Sequence, residues 1–232
     1  MIFLPGTDQQ VKFFLESGEV GERKILIIGP GTLGAAKILK ELNPEEIIIV
    51  VNDYDSLINM RYEKEKSTEN IMVKMMDYDN TDFKAGTFDI VYAQGSVSGE
   101  DRNKIIKEIR KILKPDGIFC AGEIVSLKEN PPAFIKDIWQ SSDLLPLLND
   151  NAEKYYENKG FEIINRKDLS YTLKDFYRQA EKLSTKSNNE LNEHEKSHYK
   201  KILKKLSHET NVYLKLGGDE YIGFKVFIMR KK

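Results

Sequence analysis

The first half of the chain alternates between short apolar runs and longer amphipathic stretches. The apolar runs predict five strands, at residues 24–28, 46–51, 71–76, 86–92 and 118–125. The amphipathic stretches predict helices at residues 7–18, 32–42, 57–66 and 101–113, so that only the link between the third and fourth strands lacks a clear helix. This alternation, with an almost purely β-branched second strand, predicts a mostly parallel sheet that carries helices on both faces.

Three glycines stand where the first predicted strand gives way to a helix. Gly29, Gly31 and Gly34 have the spacing G-x-G-x-x-G, with Pro30 between the first two. Glycine permits a tight turn and lets a ligand approach the backbone without a Cβ in the way. The start of a helix adds N–H groups and the positive end of a dipole. The stretch therefore predicts a nucleotide-type or adenosyl-type cofactor at the carboxyl end of the first strand, and the alternative is a plain glycine-rich turn.

Polar groups follow the second and third predicted strands. The residues are Asn52, Asp53 and Tyr54 after one strand, and Asp77 and Tyr78 after the other. A carboxylate such as Asp53, at this distance beyond the glycines, can accept hydrogen bonds from two ribose hydroxyls. The same segment can also cap the next helix, through Asp55 or Ser56, and the two roles are compatible because adjacent residues can serve them. After the third strand, the carboxylate of Asp77 can accept a hydrogen bond from an exocyclic amine such as that of adenine.

The composition limits the class of protein. The chain has 232 residues, of which 40% are hydrophobic, and this predicts one domain with a substantial core. A formal net charge of −1 provides no basic field for nucleic acid. The single cysteine, Cys120, excludes an intramolecular disulfide framework and any multi-cysteine zinc site, and no metal site is predicted. Because the sequence shows no signal peptide and no run of ~18 apolar residues, we expect a cytoplasmic protein that does not enter a membrane.

Three segments together resemble class I S-adenosylmethionine-dependent methyltransferases. They are Gly29-Pro30-Gly31 after the first strand, Thr87-Phe88-Asp89-Ile90-Val91-Tyr92 in the fourth, and Lys111-Ile112-Leu113-Lys114-Pro115-Asp116-Gly117 before the fifth. The last resembles the R-x-L-K-P-G-G segment of the family, with Lys111 in place of the arginine and Asp116 in place of the first glycine. Order and spacing fit across residues 24–126. Near the glycines the chain departs from the family, since Ile27 holds a usually acidic position and the third glycine stands one place late.

The resemblance implies a fold, a cofactor and a set of contacts. The fold is α/β: a doubly wound, Rossmann-like, seven-stranded, mostly parallel sheet whose antiparallel last strand lies between the fifth and sixth. The cofactor is S-adenosyl-L-methionine, and the product is S-adenosyl-L-homocysteine. The implied contacts are Gly29 and Gly31 to the methionine part, Asp53 or Asn52 to the ribose, Asp77 to the adenine amine with Met76 or Tyr78 on the ring, and Gln94 and Gly95 to the methionine part and the acceptor.

The second half of the chain holds a predicted helical insertion, with helices expected at residues 173–183 and 190–216. Strands are predicted at residues 160–164 and 221–229, and the resemblance makes residues 170–219 an insertion within a single domain, 1–232. We expect this insertion to act as a lid over a small-molecule methyl acceptor. The residues around His194 and His198 are mostly polar, and this favours a solvent-exposed helix face over a metal site or a catalytic base at these two histidines. Its aromatic residues can line the acceptor pocket or pack as ordinary helix core: Tyr171, Phe176, Tyr177, Tyr199 and Tyr213.

Two alternatives remain open at this point. The spacing G-x-G-x-x-G is also the dinucleotide fingerprint, so an NAD(P)-dependent oxidoreductase is the main rival. The position of Asp77, the fourth strand and residues 111–117 favour the methyltransferase. The other alternative is a non-catalytic cofactor-binding protein of the same fold. The sequence does not predict the acceptor, the methylated atom, a catalytic base or the oligomeric state.

Overall fold

The structure, a computed structural model, describes residues 2–17, 20–65, 71–185 and 206–232. The strands are β1 Lys24–Ile28, β2 Glu46–Val51, β3 Met72–Met75, β4 Phe88–Gln94, β5 Leu113–Ser126, β6 Leu147–Leu148, β7 Phe161–Asp168 and β8 Ile222–Lys231. The helices are α1 Gln9–Ser17, α2 Leu33–Lys40, α3 Tyr54–Glu65, α4 Arg102–Ile112, α5 Ala133–Ser141, α6 Ala152–Asn158, α7 Tyr171–Thr185 and α8, residues 206–215.

The strands form one sheet in the order β3-β2-β1-β4-β5-β8-β7. All neighbours are parallel except β8, which runs antiparallel to both β5 and β7. The two-residue strand β6, which was not predicted, pairs with the end of β5. The predicted doubly wound fold with an antiparallel last strand is confirmed. The usual dinucleotide-binding order, 3-2-1-4-5-6, agrees with this sheet only as far as β5.

The sheet is covered on both faces by apolar helix surfaces. One layer of the core includes buried residues of α1, α2, α3, α5 and α7, such as Val11, Leu39 and Leu173. The other includes residues of α4 and α6, such as Ile109 and Tyr156. The isoleucines and valines of β2 are buried, as expected of a strand with helices on both sides. The carboxyl ends of β1, β2, β3 and β4 therefore meet at one edge, where ligands of such sheets bind.

Residues 114–117, part of the segment that resembles the methyltransferase family, lie within the first part of β5. This strand begins at Leu113, directly after α4, and its pairing with β4 shifts register between Phe88 and Ile90. Within this segment the left-handed backbone conformation falls on Asp116, which has φ 59°. A short polar side chain tolerates this conformation better than most.

Helices separate β7 from β8, as predicted for the insertion. They are α7 and α8, and a short 3-10 turn, Gly218–Glu220, follows them. The predicted helix over residues 190–216 corresponds to α8 in its described part. His194, His198 and Tyr199 lie outside the described residues.

Candidate functional site

The glycine loop between β1 and α2 has a backbone that requires glycine. Gly29 and Gly31 have φ values of 118° and 73°. A Cβ on Gly29 would lie 2.7 Å from the Cβ of Ser96, closer than side chains approach. Ser96 Oγ donates to the carbonyl of Ile28 at 2.7 Å, and Thr32 Oγ1 donates to that of Gly29 at 2.8 Å. The loop is therefore held between the end of β1 and the segment that follows β4.

Gln94, at the end of β4, ties the N-terminal segment to this edge of the sheet. Its Nε2 donates to the carbonyls of Pro5 at 2.8 Å and Thr7 at 2.7 Å. Its Oε1 accepts a hydrogen bond of 2.8 Å from the hydroxyl of Tyr92. The predicted cofactor residue Gln94 thus uses its amide to position residues 2–7.

Residues 2–7 lie across the glycine loop. A Cβ on Gly31 would come within 3.3 Å of Leu4 Cδ2, and one on Gly34 within 2.9 Å of Ile2 Cγ1. At Gly95, where φ is 73°, the nearest atom to an added Cβ is Pro5 Cγ at 3.8 Å. The N-terminal segment therefore forms a wall over the glycines, with α1 packed against the sheet behind it.

A cavity of 470 Å³ opens between this wall, the glycine loop and the helices that follow β5 and β7. This volume is in the range of small-molecule sites. Of the predicted cofactor residues it is lined by Pro30, Gly31, Gly34, Gln94 and Gly95. The remaining lining residues are Phe3, Leu4, Pro5, Glu63, Ser96, Ile124, Ile138, Trp139, Ser142, Leu144, Phe176, Tyr177, Leu206, Glu209 and Ile222.

The far end of the cavity is rich in aromatic side chains. Phe176 contacts Phe3 and Tyr177, with ring centroids 5.2 Å and 5.0 Å apart, and Tyr177 stacks on Tyr213 at 4.5 Å. Phe176 and Tyr177 were candidates for the acceptor pocket, and both line the cavity. Tyr171, another candidate, is 62% exposed. Trp139 was missed, although it is the single tryptophan and lies on an amphipathic helix.

Glu209 of α8 is a buried acid in the cavity wall, 6% exposed. Its carboxylate accepts hydrogen bonds from Ser142 Oγ and, at 3.3 Å, from the hydroxyl of Tyr177. Burial, and then the charge of Glu209, raise the pKa of Tyr177 well above its usual value, so this tyrosine stays a neutral donor. Sequence reasoning missed Glu209 because it stands among many polar residues of a charged helix.

The residues after β2 lie at the same edge but outside the cavity lining. Asp53 Oδ1 accepts a 2.8 Å hydrogen bond from the N–H of Ser56, so Asp53 caps α3. The prediction that Asp55 or Ser56 provides this cap was wrong. Asn52, Asp53 and Tyr54 are all exposed, Tyr54 to 65%. One carboxylate oxygen of Asp53 thus caps the N-terminus of α3, although the side chain as a whole is exposed to solvent.

The loop after β3 lies beside the end of β2. The N–H of Met76 donates to the carbonyl of Val51 at 3.0 Å, and Asp77, which is exposed, pairs with Asn80 in a tight bridge. Tyr78 is 8% exposed and belongs to the apolar layer on the α4 side. Burial raises the pKa of Tyr78, and the charge of Asp53 adds to this effect. Tyr78 is thus a core residue, and Met76 is the partly exposed side chain of the pair predicted to contact adenine.

Glu108 of α4 anchors this loop from below. The N–H and the hydroxyl of Thr81 donate to Glu108 Oε1 at 3.0 Å and 2.5 Å. Glu108 is 6% exposed and also pairs with Lys111 at 2.9 Å. The position of the loop that carries Asp77 therefore depends on a buried acid of α4.

A second buried acid, Glu123 of β5, fixes the segment after β4. It accepts hydrogen bonds from Ser98 Oγ at 2.5 Å, Arg102 Nε at 3.2 Å and the hydroxyl of Tyr156. Arg102 also donates to the carbonyl of Leu145 at 2.6 Å. Glu123 thus joins β5, α4 and α6 to the loop that begins at Gly95.

The described part of the chain holds neither a metal-binding cluster nor a membrane-spanning helix. Within residues 2–17, 20–65, 71–185 and 206–232, no group of histidine, cysteine and acidic side chains is arranged to hold a metal ion. In the same ranges, no helix combines the length and apolarity needed to cross a bilayer.

Comparison with known proteins identifies the segment that carries the glycine loop. Residues 26–121 match the family model of a methyltransferase domain. The sterol 24-C-methyltransferase of Aspergillus fumigatus is 27% identical over 157 residues, which are 63% of this chain and 42% of that protein. The chain thus spans about two fifths of the length of this curated relative.

Solved structures share the fold at low sequence identity. A phosphoethanolamine N-methyltransferase of Haemonchus contortus, in complex with phosphomonomethylethanolamine and S-adenosylhomocysteine, has a TM-score of 0.77 and 16% identity, over 98% of this chain and 54% of that one. The cyclopropane synthase MmaA2 of Mycobacterium tuberculosis has a TM-score of 0.72 and 14% identity, over 97% and 82%. The 4+2 cyclase SpnF has a TM-score of 0.75 and 20% identity, over 97% and 80%. These likenesses show the fold.

Proposed function

We infer that this chain is a class I S-adenosylmethionine-dependent methyltransferase that methylates a small-molecule acceptor. The fold and the family model that matches residues 26–121 support the family. The observation that carries this function is the 470 Å³ cavity, because one wall is the glycine loop and the opposite wall is built from α5, α7 and α8. A donor bound at the glycines and an acceptor bound between the helices would meet in one enclosed space.

We assign the methionine part of S-adenosylmethionine to Gly29, Gly31 and Gly95. In support, all three have positive φ, Gly31 and Gly95 line the cavity, and an added Cβ on Gly95 would meet nothing closer than Pro5 Cγ at 3.8 Å; Gly29 adjoins them and packs against Ser96. Pro30, Gly34 and Gln94 complete this end. Because glycine has no Cβ, a ligand can approach the backbone here more closely than it could approach any other residue.

We assign the ribose to Asp53, with Asn52 as its neighbour, and the adenine amine to Asp77. Both acids are exposed at the carboxyl edge of the sheet, and the contact between Met76 and the end of β2 brings the two strand ends together. Tyr54 is exposed beside Asp53, and Tyr78 supports the loop from the core.

We propose that residues 170–219 act as a lid within a single domain. In support, α7 contributes Phe176 and Tyr177 and α8 contributes Leu206 and Glu209 to the same cavity. Closure by such an insertion excludes water and positions the acceptor.

The bound cofactor supplies an electrophilic methyl group on a positively charged sulfur. The chain contributes alignment, since the cavity holds the two reactants face to face. It also contributes a dry surround of aromatic and aliphatic side chains. The one buried acid at the acceptor end, among the described lining residues, is Glu209, which is placed to hold a polar group of the acceptor or its proton.

Calorimetry with S-adenosylhomocysteine and NADH tests the cofactor. We expect S-adenosylhomocysteine to bind in the micromolar range and NADH not to bind, because the sheet departs from the dinucleotide order beyond β5. Binding of NADH alone would establish the oxidoreductase alternative. Binding of S-adenosylhomocysteine without transfer of labelled methyl to any acceptor would favour a non-catalytic binding protein.

We also propose a cytoplasmic enzyme that acts without nucleic acid. The formal net charge of −1 and the sequence pI of about 6.4 support this proposal, since nucleic-acid binding depends on a positive surface.

A further inference from the structure

The acceptor end of the cavity is lined by apolar side chains from several separate parts of the chain. Ile124 of β5 and Ile222 of β8 come from the sheet, and both are buried. The larger side chains are Trp139 of α5 and Phe176 of α7. Leu144, in the loop after α5, is partly buried and packs against the same core layer. A ligand at this end therefore meets aliphatic and aromatic surface from the sheet and from two helices.

Polar side chains of the same lining form hydrogen bonds within the protein. Gln94 and Ser96 both donate to backbone carbonyls, and the amide oxygen of Gln94 accepts from a tyrosine hydroxyl. Ser142 and Tyr177 donate to the carboxylate of Glu209. A strongly polar ligand that left water for this space would therefore regain few hydrogen bonds, and a polar group buried without partners costs free energy.

The aromatic part of this surface is held in place by ring contacts. Phe176 packs against Phe3 and Tyr177, with ring centroids 5.2 Å and 5.0 Å apart, and Tyr177 stacks on Tyr213 at 4.5 Å. These contacts join residues 2–7 to α7 and α8. Because the rings are packed against one another, they lose little freedom when a ligand binds, and apolar contact with them contributes to affinity at a low ordering cost.

We propose that the acceptor is a lipophilic small molecule, with an uncharged ring or chain of hydrocarbon that carries a small polar group. The hydrocarbon lies against Trp139, Leu144 and Phe176, and the polar group points towards the glycine loop, where the methyl donor binds. The proposal rests on the proposed function and specifies its substrate class. Each methylene group that moves from water onto this surface should tighten binding about fourfold.

Trp139 provides a readout that does not depend on turnover, because it is the only tryptophan of the chain. Tryptophan fluorescence is titrated with hexanol, octanol, cyclohexanol and myo-inositol in the presence of S-adenosylhomocysteine, and calorimetry repeats each titration. We expect octanol to bind roughly tenfold more tightly than hexanol, and cyclohexanol more tightly than myo-inositol, which has the same ring with six hydroxyls. Equal affinities for hexanol and octanol, a preference for myo-inositol, or no binding of octanol by either method would overturn the proposal.

Two neighbouring leucines provide a matched pair of variants. Leu144→Asn places an amide in the cavity wall and should weaken octanol binding at least about fivefold. Leu145→Asn is the control and should leave it unchanged, because Leu145 is 54% exposed and is not a lining residue. Leu206→Asn, at a partly buried lining residue of α8, repeats the test from the other side, and thermal unfolding shows which variants are folded.

The two variants of the cavity wall and the cofactor titration give separate answers. Unchanged octanol affinity in folded Leu144→Asn and Leu206→Asn, or an equal loss in Leu145→Asn, would place the ligand elsewhere and refute the proposal. If S-adenosylhomocysteine fails to bind, the proposed function fails, and the alcohol titrations without it still decide whether the cavity is a lipophilic site.

Discussion

Replacing Glu123 by glutamine is expected to destabilise the fold by several kcal/mol. The Glu123 side chain is fully buried, and that of Arg102, 3.2 Å away, is 5% exposed. Glutamine keeps the shape and one acceptor oxygen but removes the charge, so the buried guanidinium of Arg102 loses its counter-ion and keeps only neutral acceptors among these contacts, such as the carbonyl of Leu145. Breaking a buried ion pair on one side costs about 3–5 kcal/mol, because the remaining charge stays desolvated.

Urea denaturation and thermal unfolding measure this loss. A destabilisation of about 3–5 kcal/mol corresponds to a fall in Tm of roughly 6–20 °C for a chain of this length. The control is Glu162→Gln, which removes an ion pair with Arg230 at 3.7 Å whose side chains are 55% and 46% exposed. This exposed pair is expected to contribute less than about 1 kcal/mol.

A double-mutant cycle with Arg102→Met separates the pair from its surroundings. Removing both charges should recover part of the stability lost in Glu123→Gln, since an apolar replacement of a buried ion pair is often neutral. The reasoning is refuted if Glu123→Gln costs less than about 1 kcal/mol, or if the two substitutions are simply additive.

Three further predictions concern the glycine loop, the end of β2 and the cysteine. Gly86→Ala should lower the free energy of unfolding by only the roughly 1–2 kcal/mol that the left-handed conformation costs, because nothing lies within 4 Å of its Cβ position. Gly29→Ala should lower it by more, because its Cβ would also clash with Ser96. Equal losses for the two variants in urea denaturation would contradict this. Asp53→Asn should retain the helix cap and its stability but lose about 1–3 kcal/mol of S-adenosylhomocysteine affinity in calorimetry, and an unchanged affinity would move the ribose contact to Asn52. Burial raises the pKa of Cys120 to about 12, so a thiol reagent at about pH 8 should label this cysteine only in the unfolded protein. Rapid labelling of the folded protein would show that the thiol is not buried.

The sheet could be predicted because its signals are local. The run from Glu46 to Val51 is apolar at every position after the first, and only a strand covered on both faces requires this. The glycine spacing and residues 111–117 similarly identify their loops within a few positions. The backbone conformation within residues 114–117 was not predicted: Asp116 takes the left-handed conformation next to a glycine, in a segment that belongs to β5 and pairs with β4 through a shift of register.

The acceptor end could not be predicted, because its parts are distant in sequence. Trp139 and Glu209 lie on helices separated by two strands, and Phe3 comes from the other end of the chain. Each residue alone is compatible with ordinary packing or a charged helix surface. The N-cap of α3 was difficult to predict for a different reason. Asp53, Asp55 and Ser56 are all suitable capping residues, and only the backbone geometry decides that Asp53 is the cap.

The position of β8 also has a consequence for biosynthesis. Of the strands in this sheet, β8 comes last in the sequence and is synthesised after the others, yet it pairs with both β5 and β7 in the interior of the sheet. A nascent chain that ends before Ile222 therefore has two open strand edges, which are templates for intermolecular pairing. We expect the sheet to be completed only after β8 has been synthesised, and stalled or shortened chains that lack β8 to depend on chaperones or to aggregate.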